Sequence, residues 1–413
     1  MDLRLTAPAQ ARATIALPAS KSISNRALLI AALCDHQPQV MRLALCDDTS
    51  AMVDALSHYR QSGIINVGPA GTAMRFLTAF FATRQGITVT IDGNERMRQR
   101  PIGPLVDALR SLGAQIDYLD QVGYPPLHIT GTTMHGGHVM IDGSVSSQFT
   151  SAVMMILPTL GGGIIELTGD IVSFSYVEMT AAVMRQMGAD VDITNNRIDI
   201  SDGYEDNDCV VETDWSAAAP WYALAALLPQ SHLTLEGLTA DSIQGDAHLT
   251  DLAHRLGIAS HFHTQGVTLD TSHFIGCCCS SFADMNGTPD LAMSWAVLLC
   301  LLERSFRMTG LRTLRHKESD RVKALRDELL KLGYVLNIQS EDAISWYGER
   351  VSIGDVPPVI DTHGDHRLAM AFAPAAVRFP GLIIHDAQVV SKSYPAFWRH
   401  LEQAGFTVNQ LAQ

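Results

Sequence analysis

The hydrophobic and polar positions of this chain repeat one pattern six times. In each copy an apolar run with a helical period closes on a glycine and is followed by an alternating, strand-like stretch. Glycine accepts the left-handed backbone conformation that ends many helices, so the pattern predicts a helix end at each of these positions. The closing glycines are Gly63, Gly113, Gly188, Gly257, Gly333 and Gly405.

A polar loop that leads into an apolar helix precedes each closing glycine by 40 to 43 residues. The six loops open the segments SKSISNRALL, GPAGTAMRFL, GSVSSQFTSAV, DWSAAAPWYAL, GTPDLAMSWAV and GDHRLAMAFA. A second polar loop lies 12 to 16 residues before each glycine, at Thr49, Arg100, Tyr176, Gln244, Lys317 to Arg321, and Lys392. The period predicts an α/β fold built from strand-helix-strand-helix-strand-strand units, three in each of two domains.

The domain boundary is expected between the third and fourth copies. One lobe would comprise residues 14–213, and the other residues 1–13 together with 214–413. Two connections, near Ala13 and Thr213, would then link the lobes, and paired connections of this kind suit a clamshell closure. If the two halves face each other, the polar loops of both lobes would line one cleft.

Composition and charge narrow the range of functions. The chain has 413 residues, of which 47% are hydrophobic and 17% are charged, as in a soluble globular protein with two large cores. Its net charge of −14 argues against partners such as nucleic acid and anionic membranes, since both bind basic surfaces. The longest apolar stretches are interrupted or too short to cross a bilayer, and the first ten residues are unlike a signal or transit peptide.

The seven cysteines include the run Cys277 to Cys279 and form no C-x-x-C pair. An odd count without framework spacing favours a reducing cytosol over a secreted disulfide scaffold, so we expect a cytoplasmic protein. The run is interpreted as part of a half-buried strand, because adjacent strand residues point to opposite faces. A metal-binding clip is the alternative.

Positive side chains are concentrated on the predicted loops. They are Lys21, Arg26, Arg75, Arg100, Lys317, Arg321, Arg367 and Lys392, which is eight of the 29 basic residues of an acidic chain. A phosphate group carries about −1.5 to −2 charges near neutral pH, so such a cluster suits substrates with several negative charges.

The stretch 18–33 has the character of a phosphate-binding loop followed by a helix. Ser20 or Ser22 can cap the helix, and the amides of its first turn favour an anion together with the positive end of the helix dipole. Lys21 adds a mobile cation, and Ser22 and Arg26 share one helical face. The alternative is an ordinary capped surface helix. The stretch does not contain the Walker A pattern.

Eight motifs, in order and spread over nearly the whole chain, resemble those of the 5-enolpyruvylshikimate-3-phosphate synthase family. They are PASKSISNRALL, GPAGTAMRF, ERMRQRPIGPLVDAL, GSVSSQFTSAVMM, TPDLAMSWAV, RHKESDRV, GDHRLAMAF and VSKSYPAFW. The resemblance implies two similar domains, each with three β-α-β-α-β-β repeats whose helices pack inside the sheets (an inverse α/β barrel), and a cleft between the domains. It also implies transfer of the enolpyruvyl group of phosphoenolpyruvate to the 5-hydroxyl of shikimate 3-phosphate, with release of phosphate, by a monomer without metal or organic cofactor.

The resemblance further implies a role for individual residues. Shikimate 3-phosphate would be held by Lys21, Ser22, Arg26, Ser146, Ser147, Gln148, Tyr176, Asp290 and Lys317. Phosphoenolpyruvate would be held by Lys21, Gly71, Arg100, Gln148, Arg321, Arg367 and Lys392. Asp290 would be the base at the 5-hydroxyl and Glu318 the proton shuttle at the methylene carbon, a role that is open to Lys21 as well.

Several of these residues have simpler interpretations. Asp290 alone would be an N-cap of the following helix, and Lys317 with Glu318 would be a solvated charge run. Arg75 would brace its own loop instead of touching a ligand. For the cluster Asp361, His363, Asp365 and His366, the family's Asp-His-Arg triplet implies anion binding through its Arg. A metal site is the alternative.

The chain departs from the family pattern at three places. Pro69 stands where the family usually has Asn, which removes a side-chain amide and a backbone donor. Phe76 follows Arg75 where Pro or Leu is common. Upstream of Lys317, Thr313 is a candidate for a polar substrate contact.

Three other functions share parts of this pattern. The related enolpyruvyl transferase that acts on UDP-N-acetylglucosamine has a reactive cysteine in its first half and a Lys-Asn opening, whereas this chain has Lys-Ser and no cysteine between Cys46 and Cys209. An RNA-phosphate cyclase relative would need nucleotide-binding and basic surface features that the sequence lacks. A non-catalytic phosphometabolite-binding protein would keep the anion loops but would gain nothing from Asp290 and Glu318.

Overall fold

The structure is a computed structural model that describes residues 1–36, 38–228, 230–272, 274 and 281–411. It divides into two compact units. The continuous unit is Ala19–Glu212, and the discontinuous unit joins Met1–Pro18 to Thr213–Gln413. The predicted strand around Cys277 to Cys279 lies outside the described residues.

The strands, in chain order, are β1 Leu3–Thr6, β2 Arg12–Ala16, β3 Val40–Met41, β4 Ile64–Asn66, β5 Thr88–Asp92, β6 Gln115–Tyr118, β7 Leu127–Thr130, β8 His138–Asp142, β9 Gly163–Thr168, β10 Val191–Thr194, β11 Arg197–Ile200, β12 Cys209–Val210, β13 His232–Glu236, β14 Ala259–His263, β15 Gly266–Asp270, β16 Ser281–Asp284, β17 Phe306–Thr309, β18 Asn337–Ile338, β19 Ile344–Trp346, β20 Val359–Asp361, β21 Leu382–His385 and β22 Thr407–Gln410.

The α-helices are α1 Lys21–Leu33, α2 Asp47–His58, α3 Gly71–Ala82, α4 Glu95–Arg98, α5 Gly103–Ser111, α6 Ser147–Ile156, α7 Phe174–Gln186, α8 Ala219–Leu227, α9 Leu249–His254, α10 Ala292–Leu301, α11 Arg321–Lys331, α12 His366–Phe372 and α13 Phe397–Gln403. Short 3₁₀ turns adjoin several of them, at Leu157–Leu160, Ser216–Ala218, Gly245–His248, Arg312–His316, Ala373–Val377 and Ala387–Lys392.

One sheet topology recurs through the described part of the chain. The four-stranded sheets have the orders β4-β5-β7-β6, β8-β9-β11-β10, β2-β13-β15-β14, β16-β17-β19-β18 and β20-β21-β1-β22. In each, the first two strands are parallel and the remaining pairs are antiparallel. A helical crossover between parallel strands, followed by a hairpin, is the predicted β-α-β-α-β-β unit. In the sheet β20-β21-β1-β22, strand β1 from the start of the chain takes the place of one hairpin strand.

The first copy is shorter than predicted. Its strands β3 and β12 form a two-stranded parallel sheet, and the strand after Gly63 is β4, the first strand of the next sheet. Gly63 does not have the left-handed backbone of the other closing glycines, because α2 already ends at His58. The missing hairpin explains why Gly63 and Gly113 are only 50 residues apart, whereas later closing glycines are 69 to 76 residues apart.

Each unit packs helices against one another inside its sheets. In the discontinuous unit every residue of α8, α10 and α12 is buried, and the three helices contact one another. In the continuous unit α1, α3 and α6 make the corresponding contacts. Strands such as β8 alternate exposed and buried residues, as expected for sheets that face the helices on one side and solvent on the other.

The chain passes between the units at Pro18–Ala19 and Glu212–Thr213. The first of these differs from the predicted boundary between residues 13 and 14. The reason is that β2 pairs in parallel with β13, which ties residues 12–16 to the discontinuous unit. The continuous unit is thus inserted into the discontinuous unit between strand β2 and the segment that leads to helix α8.

Among the described residues, none of the helices combines the length and apolar character needed to cross a membrane.

Candidate active site

In the discontinuous unit, the beginnings of the three inner helices are joined by hydrogen bonds. Asp290 lies just before α10, Arg367 on the first turn of α12, and Ser216 before α8. Nη2 of Arg367 donates to Oγ of Ser216 at 2.8 Å and to Oδ2 of Asp290 at 3.0 Å. The three predicted polar loops of this unit therefore meet, with a carboxylate and a guanidinium at their junction.

Arg321 holds three carboxylates at once. Its Nη1 lies 3.0 Å from Oδ1 of Asp290, its Nη2 3.0 Å from Oε2 of Glu318, and its Nε 2.7 Å from Oδ2 of Asp365. Only 2% of the Arg321 side chain is exposed. Burial lowers the pKa of this guanidinium, but the charges of Asp365, Glu318 and Asp290 outweigh burial and raise the pKa above its usual value.

Asp290 is therefore not the N-cap that its position before a helix suggests. Leu291 occupies the cap position of α10, where no side chain accepts a capping hydrogen bond. The Asp290 carboxylate instead lies between the guanidinium groups of Arg321 and Arg367, and 16% of its side chain is exposed.

Glu318 is bound from two sides. Besides Arg321, Nζ of Lys392 lies 3.0 Å from its Oε1, and both side chains are largely buried. The interpretation of this segment as a solvated charge run is wrong for Glu318. Lys317, which precedes it, is half-buried at the end of the 3₁₀ turn Arg312–His316. Thr313 on that turn is buried, and its hydroxyl has no hydrogen-bond partner among the described residues.

In the continuous unit, the helix that begins at Lys21 is capped as predicted. Ser20 is the N-cap of α1 and accepts from the backbone nitrogen of Ile23 at 3.5 Å. Nζ of Lys21 pairs with Oδ2 of Asp48 at 2.9 Å, and 13% of the Lys21 side chain is exposed. Ser22 is half-buried beside it.

Arg26 is a buried cation without a carboxylate within ion-pair distance among the described residues. Its Nε donates to Oγ1 of Thr180 at 2.7 Å, and Nη2 donates to Oγ of Ser151 at 3.2 Å. The rings of Phe76 and Tyr176 lie 5.3 and 5.8 Å from its guanidinium carbon. Burial lowers the pKa of Arg26 to about 10, so the group remains charged at neutral pH and supplies an uncompensated positive field.

The second predicted loop places Gly71 directly against Arg100. A Cβ atom on Gly71 would lie 2.5 to 2.7 Å from the guanidinium of Arg100, which is 5% exposed. Arg75 donates to the carbonyl oxygens of Gly71 at 3.1 Å and Pro101 at 2.9 Å, so it braces this loop. Ala70, after Pro69, caps α3 without a side-chain hydrogen bond.

The third loop opens α6 with the predicted polar residues. Ser146 is the N-cap and accepts from the backbone nitrogen of Gln148 at 3.3 Å. Nε2 of Gln148 donates to Oγ1 of Thr72 at 3.1 Å, which connects the beginnings of α6 and α3. Ser147 is buried with 8% of its surface exposed, and the carbonyl of Tyr176 accepts from Nη2 of Arg26 at 3.3 Å.

The partners that orient the predicted cations are not visible in the sequence. Asp365 accepts from Arg321 and also caps α12, and Asp48 holds Lys21. In GDHR the sequence does show a capping aspartate, but only the fold brings Arg321 to it.

In the described part of the chain, no group of three or more His, Cys, Asp and Glu side chains is arranged to hold a metal ion. His363 instead lies 2.8 Å from the buried Glu328.

Comparison with known proteins identifies the family. The family model for EPSP synthase (3-phosphoshikimate 1-carboxyvinyltransferase) matches residues 5–62 and 57–401. A 3-phosphoshikimate 1-carboxyvinyltransferase of Bacteroides fragilis (strain YCH46) is 46% identical over 412 residues, 99% of each chain. One of Syntrophobacter fumaroxidans is 36% identical over 95% of this chain and 97% of its own. The solved EPSP synthase of Acinetobacter baumannii has a TM-score of 0.76 at 22% identity, covers 99% of this chain and all of its own, and shares its fold. By these matches the chain belongs to the EPSP synthase family.

Proposed function

We propose that the protein transfers the enolpyruvyl group of phosphoenolpyruvate to the 5-hydroxyl of shikimate 3-phosphate and releases inorganic phosphate. The observation that carries this proposal is the pair of carboxylates, Asp290 and Glu318, held by the guanidinium of Arg321 at 3.0 Å each. The reaction needs two proton-transfer groups beside cations that neutralise anionic substrates. A protein that only binds anions gains nothing from two carboxylates in such a place.

The first step adds the hydroxyl to the enol. The 5-oxygen attacks C2 of phosphoenolpyruvate, its proton passes to Asp290, and the methylene carbon C3 receives a proton from Glu318. Both guanidinium groups that contact Asp290 favour its ionised form, so the carboxylate is ready to accept the proton. Lys392 and Arg321 fix the Glu318 carboxyl by a bond to each oxygen.

The second step reverses both transfers. C3 of the tetrahedral intermediate returns its proton to Glu318, the bond from C2 to the phosphate oxygen breaks, and the leaving phosphate takes the proton from Asp290. The product keeps the enol double bond, and both carboxyls return to their starting state. Positive side chains stabilise the charge that develops on the departing phosphate.

The substrate assignments follow the chemistry of the clusters. We infer that shikimate 3-phosphate is bound by Lys21, Ser22, Arg26, Ser146, Ser147, Gln148, Tyr176, Asp290 and Lys317. The buried, uncompensated charge of Arg26 supports this assignment, because a phosphate would supply the counter-charge. We infer that phosphoenolpyruvate is bound by Lys21, Gly71, Arg100, Gln148, Arg321, Arg367 and Lys392. Guanidinium groups pair with carboxylate and phosphate in a bidentate manner, which suits this ligand.

We also infer that the protein works in the cytoplasm and, as the family resemblance implies, as a monomer. The cysteines described by the structure, Cys34, Cys46, Cys209 and Cys300, are buried free thiols. Burial raises the pKa of Cys34 to about 12 and that of Cys209 to about 11, so both stay protonated. Buried thiols of this kind suit a reducing compartment.

A phosphate-release assay tests the proposed function. The purified protein is mixed with phosphoenolpyruvate and shikimate 3-phosphate, and phosphate is followed with a coupled enzyme. Release that requires both substrates is the expected result. No release, or release with UDP-N-acetylglucosamine in place of shikimate 3-phosphate, would reject the proposal.

Arg26→Met should raise the KM for shikimate 3-phosphate by about a hundredfold while changing the KM for phosphoenolpyruvate by less than threefold. The substitution removes a charge-assisted partner of the phosphate, and one such hydrogen bond contributes about 1.5 to 3 kcal/mol. Steady-state kinetics with each substrate varied in turn measure the difference.

Arg84→Met is the matched control for Arg26→Met. Arg84 is also partly buried and stacks on a ring, 4.3 Å from the Phe80 centroid, but within the described residues its side chain donates to the carbonyl of Ala32 alone. Both KM values should stay unchanged in this variant. Equal effects of the two substitutions would contradict the role given to Arg26.

Gly71→Ala should raise the KM for phosphoenolpyruvate about tenfold and leave the KM for shikimate 3-phosphate within twofold. A Cβ at residue 71 would overlap the Arg100 guanidinium and displace it from the position in which it binds phosphoenolpyruvate. A tenfold rise in KM corresponds to a loss of about 1.4 kcal/mol of binding free energy. Gly63→Ala is the control, since a Cβ there meets nothing within 4 Å. A normal KM for phosphoenolpyruvate in Gly71→Ala would separate Arg100 from this ligand.

A further inference from the structure

Asp246 is a buried carboxyl group that the proposed mechanism does not use. It lies on the 3₁₀ turn Gly245–His248, with 6% of its surface exposed, and its Oδ1 receives no hydrogen bond from any residue that the structure describes. His248 on the same turn is exposed and faces Asp251 at 2.9 Å. A buried carboxylate needs donors in place of water, whereas a neutral carboxylic acid loses far less on burial. The protonated form of Asp246 is therefore favoured.

The segment that carries Asp246 is fastened to the segment before α8. Two residues ahead of Asp246, Nε2 of Gln244 donates to the carbonyl of Thr213 at 2.8 Å. Oε1 of the same side chain accepts from the backbone nitrogen of Trp215 at 3.1 Å. Gln244 is 4% exposed, so this connection is shielded from water and fixes the turn in place.

From there, hydrogen bonds continue to the Asp290 carboxylate. Oδ1 of Asp214 accepts from the backbone nitrogen and the hydroxyl of Ser216, at 3.1 and 2.7 Å. The Ser216 hydroxyl accepts from Arg367, and the same nitrogen of Arg367 donates to Asp290. The segment that leads to Asp246 is thus fixed against the residues that bind Asp290, and Asp246 itself is buried.

Four charged groups act on Asp246. Burial has the largest effect on its pKa, followed by the negative charge of Asp290, and both raise it. Arg367 lowers the pKa, Asp214 raises it, and Lys317 lowers it. The net result is a pKa of about 8, so the proton is retained at neutral pH.

We propose, on the basis of the function proposed above, that Asp246 is a positioning residue that carries a proton at neutral pH, so that Asp290 keeps its negative charge and the cluster accepts an anionic substrate. Two carboxylates that share a buried site do not both ionise readily, so the proton on one preserves the charge of the other.

The charge balance of the cluster shows why the proton matters for binding. In the state that receives phosphoenolpyruvate, Glu318 carries the proton that it will donate, so the described residues of the cluster provide three carboxylates, Asp214, Asp290 and Asp365, against the four cations Lys317, Arg321, Arg367 and Lys392. An ionised Asp246 would cancel the remaining positive charge of this set. Phosphoenolpyruvate, itself an anion, would then bind less tightly.

The pH dependence has a defined sign. Below about pH 8 Asp246 is neutral and the KM for phosphoenolpyruvate is low. Above that pH the proton is lost and the KM rises, by about tenfold for one added charge in the site. Substrate phosphates have their second pKa near about 6, so they do not titrate in this range.

Asp246→Asn tests the proposal, with KM for phosphoenolpyruvate measured from pH 7.0 to about 9.5. The amide has the shape of the protonated acid but no proton to lose. The wild-type KM should rise through about pH 8, and that of the variant should not. Asp241→Asn, on the exposed part of the same loop, makes the same side-chain substitution and should keep the wild-type profile.

The melting temperature supplies a readout that does not depend on activity. Folding of the wild type at pH 7 requires Asp246 to take up a proton that the unfolded chain lacks, so this group destabilises the fold as pH rises from the unfolded pKa of 3.8 to about 8. Asp246→Asn should therefore raise Tm at pH 7 by about 3 °C or more, and the gain should shrink toward pH 4. A residue with a purely structural role would show the opposite sign.

Three results would overturn the proposal: superimposable KM profiles of wild type and Asp246→Asn, a lower Tm for the variant at pH 7, or failure of the variant to fold. Infrared spectra of the wild type are independent of the variant and should lose a carboxylic-acid carbonyl band between pH 7 and about 9.5. Absence of that band at pH 7 also contradicts the proposal. If the wild type turns over no substrate, the proposed function fails, while Tm and the infrared band still decide the protonation of Asp246.

Discussion

Asp290→Asn will lower the turnover number by about a thousandfold and leave the affinity for shikimate 3-phosphate within about threefold, since general acid–base catalysis contributes about 10² to 10⁴ in rate. The amide occupies the volume of the carboxylate but cannot accept the proton of the attacking hydroxyl. Its carbonyl oxygen still accepts one of the two hydrogen bonds that Arg321 and Arg367 donate to Asp290.

Turnover and binding have to be measured separately in this variant. Phosphate release gives the turnover number, and calorimetric titration with shikimate 3-phosphate gives the affinity. Asp284→Asn is the matched control, since Asp284 is exposed six residues upstream and only caps a turn through the nitrogen of Asn286 at 3.0 Å. Turnover near the wild-type value with greatly weakened binding would assign Asp290 to substrate binding and remove it from the proton transfer.

Arg321→Met will reduce the free energy of unfolding by about 3 to 5 kcal/mol and abolish turnover, because removing one partner of a buried ion pair leaves the other charge uncompensated. Here one guanidinium serves three carboxylates, those of Asp290, Glu318 and Asp365, and only 2% of it is exposed. Arg321→Lys keeps the charge but cannot reach three carboxylates with one ammonium group, so its stability should fall between those of Arg321→Met and the wild type.

Urea unfolding at pH 7 measures these differences in stability. Arg326→Met provides the control on the same helix: that side chain is 43% exposed, contacts its neighbour Asp327, and should change the free energy of unfolding by less than about 0.5 kcal/mol. A stable Arg321→Met variant would mean that the carboxylates find other donors and that Arg321 does not organise the site.

Much of the architecture was predictable because it is repeated. Gly113, Gly188, Gly257, Gly333 and Gly405 all have the left-handed backbone expected of a closing glycine, with φ between 84° and 100°. The exception, Gly63, resembles the others in sequence, but no hairpin follows it. Local pattern alone does not show whether a strand pairs with its own copy or with the next, because that depends on contacts far apart in the chain.

The site was predictable in part. Cations such as Arg321 and Arg367 lie on loops that the repeat identifies, so the sequence predicts that they belong to the site. The sequence does not predict which carboxylates they pair with. Asp365 resembles a helix cap and Asp246 a loop residue, and only packing shows that the first meets Arg321 and that the second is buried, where the charge of Asp290 acts on its pKa. Burial changes the chemistry of a carboxyl group, and it is a property of the folded chain.

The first strand of the discontinuous unit has a consequence for synthesis on the ribosome. Strand β1 lies between β21 and β22, with Leu3 opposite Ile384 and Gln410. Strand β1 therefore has to wait until residues 382–410 have been synthesised before its sheet can close, whereas every strand of the continuous unit is made by residue 212. A nascent chain that ends before residue 407 leaves strand β1 without β22, the neighbour that completes its sheet.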